Sequence, residues 1–209
     1  MCGVLYHETM NADHENRILN VFSAHGGYAR ADELREAGAH PAQLANLVSS
    51  GKIVRLKRGL YAILEEHTAR SELVDVQHSV HGSVFCLGTA LSLHGLGTWE
   101  PPLVQIAILR DSRIRLPAYP PIQLFSFSKN RFEIGVMDFR TSGGDVKAYD
   151  REKTICDVLR FRNALGQDIA NEALKEYLRL RQKDIQKLIE YAVALRMEGT
   201  VRRYLEVLV

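Results

Sequence analysis

Between residues 13 and 64, apolar positions recur first at helical spacing and then in short β-like runs. Ile18, Leu19 and Phe22 share one side of a helix in ENRILNVFSAHGG, which Gly26-Gly27 ends. ADELREAG is a short second helix closing at Gly38, a residue suited to the left-handed position after a helix. In HPAQLANLVSSG, Pro41 takes the first helical position. Leu44, Leu47 and Val48 recur there at i, i+3 and i+4, which predicts a third helix with one buried stripe. Its opposite side shows Ala42, Gln43, Ala45, Asn46 and Ser49. The period then changes. Ile53, Val54 and Leu56 on one side of Lys57-Arg58-Gly59, and Leu60, Tyr61 and Ile63 on the other, are the residue types strands prefer. A three-residue hairpin tip with Gly59 in the left-handed region follows. Helix, helix, tight turn, helix, hairpin is the order of a winged helix-turn-helix. One local feature disagrees: Arg30 stands where Ser or Thr would cap the second helix.

Polar EEHTAR, residues 65 to 70, reads as a junction, dividing the chain into a winged helix-turn-helix over 1–64 and a second domain over 65–209. Leu73, Val76 and Val80 mark a helix, and GTALSLHGLG a second short one. LVQIAIL (103–109), IQLFSF and EIGVMDF read as strands, and Gly143-Gly144 turns the chain into VKAY. From Asp150 the pattern is helical. Asp150 is placed to cap a helix carrying Ile155, Val158 and Leu159, and further helices are expected near 168–180, 184–195 and 198–208. Strands followed by a run of helices predict an α+β fold with a small sheet.

Composition adds limits. A hydrophobic fraction of 46% and a charged fraction of 25% suit globular domains with real cores. A net charge of +2 is too small to mark a polyanion partner by itself, so any nucleic-acid surface must come from local clustering. No apolar run approaches the roughly 20 residues of a membrane-spanning helix. The start, MCGVLYHETMNADHE, is unlike a signal peptide. Cys2, Cys86 and Cys156 are widely spaced and odd in number, which argues against a disulfide framework and for a cytoplasmic location.

Candidate catalytic and metal chemistry is thin. His78, His81, Cys86 and His94 match no zinc spacing. Asp138, Asp145, Glu152 and Lys153 are the residue types of metal-dependent nucleases, but Glu152 and Lys153 fall in a helix's first turn, where the helix dipole accounts for the acid. No phosphate-cradling glycine loop or nucleophile elbow is present. We therefore expect no catalytic residues, metal or cofactor. Basic residues do cluster. Arg110, Arg113 and Arg115 form one run, and Arg179, Arg181, Lys183 and Lys187 surround a helix junction; each is either a solvated face or a surface for a polyanion.

The first domain gives the sharper expectation. The third helix would lie in the major groove of double-stranded DNA and the wing along the sugar-phosphate backbone. Gln43 and Asn46 carry amides able to pair with an adenine edge. Ala42 shares their side of the helix, and His40 and Arg30 sit at helix starts. Lys52, Arg55, Lys57 and Arg58 supply phosphate contacts. Winged helices also bind proteins, so a regulator whose second domain senses a ligand or partner is the alternative.

Two stretches resemble the AbiEi family, antitoxins of bacterial type IV toxin–antitoxin systems. They are LVSSGKIVRLKRGLYAI and VKAYDREKTICDVLRFRNALGQDIANEALKEYL, with LIEYAVALRMEGTVRRYLEVL trailing. The resemblance implies a winged helix that binds inverted repeats in its own promoter and represses the operon. It also implies a second domain that counteracts a co-encoded nucleotidyltransferase-like toxin without a stable complex. The recognition helix then falls at 41–50 and the wing at 52–63. His40 replaces the usual hydroxyl cap and Lys57 adds charge at the wing tip, so the operator does not carry over. Arg179, Arg181, Lys183 and Lys187 are the expected antitoxin surface.

Overall fold

The computed structural model describes residues 15–64 and 71–208; the EEHTAR junction and Cys2 lie outside them. The chain divides into two compact units, Met1–Arg70 with Leu116–Tyr119, and Ser71–Arg115 with Pro120–Val209.

In the first unit, helix α1 covers 15–24 and is followed by strand β1 (Tyr28–Arg30), α2 (Ala31–Glu36), α3 (Pro41–Ser49), β2 (Ile53–Lys57) and β3 (Leu60–Ile63). The strands form an antiparallel sheet in the order β1-β3-β2. This is the expected winged helix-turn-helix, with β1 as an addition that YAR alone is too short to announce. The core is Ile18, Phe22, Ala29, Leu34, Ala39, Leu44, Leu47 and Ile53. Gly38, at φ +95°, ends α2 and lets the Ala39 amide donate to Leu34 O at 2.8 Å, so the next helix starts at once.

Two expectations change here. Val48 is 38% exposed and is not part of the buried stripe, which Leu44 and Leu47 supply. The wing tip is shorter than three residues. Lys57 lies in β2 opposite Leu60, the register shifts between Arg55 and Lys57, and only Arg58 and Gly59 turn the chain. Gly59 has φ +82°, so the glycine requirement stands.

In the second unit, α4 (Glu72–Ser79), β4 (Val84–Phe85) and α5 (Leu87–His94) precede β5 (Val104–Leu109), β6 (Ile122–Phe127), α6 (Lys129–Glu133), β7 (Val136–Thr141) and β8 (Gly144–Tyr149). The five strands are ordered β6-β5-β4-β8-β7. The β5–β6 and β4–β8 pairs are parallel, and β4–β5 and β7–β8 antiparallel. The strand expected at EIGVMDF begins only at Val136, because Glu133 closes α6.

The helical run follows as α7 (Arg151–Arg160), α8 (Arg162–Leu165), α9 (Gln167–Arg179), α10 (Ile185–Ala194) and α11 (Glu198–Leu208). Helix α7 is the hub, with α5, α9 and α10 packed around it. Asp150 caps it as expected, accepting from the Lys153 amide at 2.8 Å. Every residue from Glu152 to Leu159 is buried, although the sequence shows an apolar stripe on one side only. The charges at its buried positions are matched within the helix and by neighbours. Lys153 Nζ pairs with Asp157, Arg131 reaches the same carboxylate at 3.3 Å, and Glu152 accepts from Tyr177 Oη at 2.9 Å. The Lys153 ammonium also lies 4.2 Å from the Tyr149 ring centroid, a second source of stabilisation for a buried cation.

Candidate nucleic-acid interface

Helix α3 reaches the surface because its buried side is narrow. Leu44 and Leu47 face the core, which leaves Pro41, Ala42, Ala45, Asn46, Val48 and Ser49 exposed. His40 begins the helix with its backbone N–H donating to Gln43 Oε1 at 2.9 Å. Gln43 is therefore half of a capping box, and its amide oxygen is held by the helix start. The same device operates at α2, where the Arg30 N–H donates to Glu33 Oε2 at 2.7 Å. This explains how a helix lacking a hydroxyl cap still starts at Arg30. It also changes the expected division of labour on α3. Ser49 Oγ donates to Asn46 O and Ser50 Oγ to Leu47 O, so both hydroxyl protons serve the helix's own backbone. Of the amides expected to read bases, Asn46 remains exposed without such a tie, and Gln43 is occupied.

The cations of the wing divide similarly. Arg58 is exposed at the tip and Arg55 is exposed on β2. Lys57 is half-buried; that burial, with the nearby Arg30 guanidinium, lowers its pKa from the ordinary lysine value. Lys52 is paired with Glu15 of α1, which fixes the start of β2 to the first helix. The sequence places all of these cations together, but only Arg55 and Arg58 are exposed on the wing without an ion pair among the described residues.

The sets weighed for catalysis are not assembled. Asp138 is paired with Lys147 across β7 and β8, Asp145 is exposed, and Lys153 is committed to Asp157. Among the described residues, no group of three or more His, Cys, Asp or Glu is placed to hold a metal ion. His94 Nε2 lies 2.7 Å from Tyr149 O, and Cys86 is buried with its thiol pushed well above the ordinary value by desolvation. No described helix is long and apolar enough to cross a membrane.

At the α9–α10 connection, Arg179 pairs with Glu176, and Lys183 Nζ donates to Leu180 O at 3.3 Å. Lys187 lies 2.9 Å from Asp150 and 3.4 Å from Glu152, and those carboxylates hold its ammonium above the ordinary lysine pKa against the opposing effect of desolvation. Lys187 therefore ties α10 to the start of α7. Arg181 is exposed and has no ion pair among the described residues.

Residues 16–64 match the model of a family described as transcriptional regulator, AbiEi antitoxin. The matched AbiEi stretch is the winged helix-turn-helix itself, from within α1 to the end of the wing. The sequence resemblance to that family is thus found again over the winged helix-turn-helix. The fold is similar to the crystal structure of the RV2827C protein from Mycobacterium tuberculosis, with a TM-score of 0.51 and 12% identity, covering 93% of this chain and 81% of that one. At such identity the likeness speaks for the fold alone. No curated protein matches the chain significantly in sequence.

Proposed function

We propose that this chain is a DNA-binding, non-enzymatic, cytoplasmic antitoxin of the AbiEi kind. In this reading the first unit binds inverted repeats in the chain's own promoter and represses the operon. The second antagonises a co-encoded nucleotidyltransferase-like toxin without forming a stable complex. One observation carries the proposal: the stretch matching an antitoxin-regulator family folds as a winged helix whose third helix is exposed and whose wing ends in an exposed arginine without an ion pair among the described residues. Arg58 and Arg55 would neutralise phosphates, the half-buried Lys57 would reinforce them, and α3 would lie in the major groove. The domain boundary is proposed at the EEHTAR junction. The toxin-facing surface is proposed at the α9–α10 connection around Arg179, Arg181 and Lys183, with Lys187 there mainly to hold the helices.

The test is a titration of the full chain against a duplex from its own upstream region and a scrambled duplex of equal length, at several salt concentrations. Preference for the upstream duplex is expected. Arg58→Ala should weaken binding to both and reduce the salt slope by about one unit for the lost phosphate contact. No preference, or an unchanged slope, would overturn the reading.

A further inference from the structure

The exposed side of α3 continues into a groove of about 530 Å³ within the first unit. Its floor is apolar and small: Ala39, Pro41, Leu44, Ala45 and Val48, with Tyr61 from the wing. Arg35 and Arg55 also line it, and no acidic residue does. Neither arginine has an ion pair among the described residues; Arg35 Nε donates only to Ala31 O at 3.0 Å. A cleft with an apolar floor, two unneutralised guanidiniums and no carboxylate suits a ligand that is anionic along its edges and apolar at its centre.

We infer that this groove receives thymine methyl groups of a duplex, so that α3 reads its operator by apolar contact from Ala45 and Val48. The inference rests on the DNA-binding reading and specifies the sequence class it selects. In the major groove only thymine presents a methyl group, and small apolar side chains are its natural partners. The hydrogen-bonding inventory of α3 points the same way. Gln43 Oε1 accepts from the His40 amide, and Ser49 and Ser50 donate to their own helix. Asn46 is exposed on α3 but does not line the groove, whose α3 wall is Pro41, Leu44, Ala45 and Val48 with Ser49 beside them. Arg35 and Arg55 fit the phosphates on either side. Along a helix Ala45 and Val48 are about 4.5 Å apart, somewhat more than the rise of one base pair, so neighbouring thymines on a strand are within reach of both.

The experiment uses the full chain. A duplex is selected from a randomised pool, and its thymines are replaced by deoxyuridine singly and together, which removes only the methyl groups. We expect A·T-rich selected duplexes and a loss of about fourfold in affinity per contacted methyl, the equivalent of one buried methylene. Ala45→Ser with Val48→Ser, at two exposed positions and withdrawing the apolar contacts, should lose most of the wild-type ratio of thymine to uracil affinity, with thermal melts showing that the first unit stays folded. If the wild type selects a duplex but does not distinguish thymine from uracil, this inference fails and DNA binding stands. If it selects no duplex, both fail. If the double variant instead shifts sedimentation and leaves the thymine preference intact, the groove is a protein contact and the inference fails.

Discussion

Replacing Asp157 by Asn removes one charge from the centre of the second unit and leaves the shape nearly unchanged. Asp157 and Lys153 are both 0% exposed and form an ion pair one turn apart on α7. In the variant the Lys153 ammonium keeps the rings of Tyr149 and Phe127, at 4.2 and 4.9 Å, but loses its carboxylate. Breaking a buried pair from one side costs about 3–5 kcal/mol. The upper bound has a simple origin. An unpaired buried lysine sheds its proton, and neutralising a group of ordinary pKa about 10.4 at pH 7 costs roughly 4.6 kcal/mol. Arg131 adds less, because its side chain is 27% exposed and stays stacked 4.5 Å from the Phe127 ring centroid. Burial already lowers the Lys153 pKa in the wild type, and in the variant it should fall further. The unfolded chain then binds more protons than the folded one between the folded pKa and about 10.4, so stability rises with pH in that window. Urea unfolding at pH 7 and pH 9.5 reads both effects. The deficit against wild type should be about 3–5 kcal/mol at pH 7 and shrink at pH 9.5 by up to roughly 1.4 kcal/mol per pH unit. Lys153→Met with Asp157→Leu should recover most of the loss. A deficit below about 1 kcal/mol, or one equal at both pH values, would refute the reasoning.

Asn46→Ala should cost about 1–3 kcal/mol of discrimination between selected and random duplexes. Gln43→Ala should instead destabilise the first unit by roughly 0.5–2 kcal/mol through its capping oxygen, with discrimination intact; thermal melts beside binding titrations separate the two. Gly88→Ala would put a Cβ 2.3 Å from Trp99 Cζ3 and 3.0 Å from Gln105 Oε1. Overpacking there should cost about 1–3 kcal/mol in urea unfolding and shift Trp99 fluorescence; a silent substitution would show that Trp99 moves freely. His94 is held below the ordinary histidine pKa by burial, opposed by its bond to Tyr149 O, with Arg151, Asp150 and Glu152 also facing it. Its contribution is therefore present above about pH 6.5 and lost as pH falls through the lower folded value. His94→Gln should lose less stability than wild type on acidification from pH 7 to 5, and an equal loss would contradict the assignment.

The first unit was legible in the sequence because each element carries its own local signal. Gly38 marks the end of α2, Pro41 the start of α3, Leu44 and Leu47 its buried side, and Gly59 the wing tip. The α+β character of the second unit followed from strands preceding helices. What escaped detection depends on tertiary surroundings. The two residues of β4, Val84-Phe85, are a strand only because β5 and β8 flank them. Val48 has the spacing of a core residue, but a groove opens beside it. Helix α7 reads as one-sided because Lys153 and Asp157 look like solvent residues, and nothing local says that they neutralise each other indoors. At the candidate interface the residue types were legible and their engagements were not. Gln43 and Asn46 look equivalent in sequence, and Lys52 resembles Arg58 until Glu15 is found beside it. The charge pairs around Lys187 likewise join residues more than thirty positions apart.

Two separable jobs in one chain are the centre of the proposal, and one strain tests them. It carries the chain's own promoter fused to a reporter, the gene of the proposed toxin under an inducible promoter, and full-length Asn46→Ala/Arg58→Ala supplied from a third promoter. The reporter should be released from repression while the cells still grow on toxin induction, as they do with the wild-type chain. Loss of growth together with loss of repression, at equal protein level, would mean that protection runs through DNA binding and that the second unit has no job of its own.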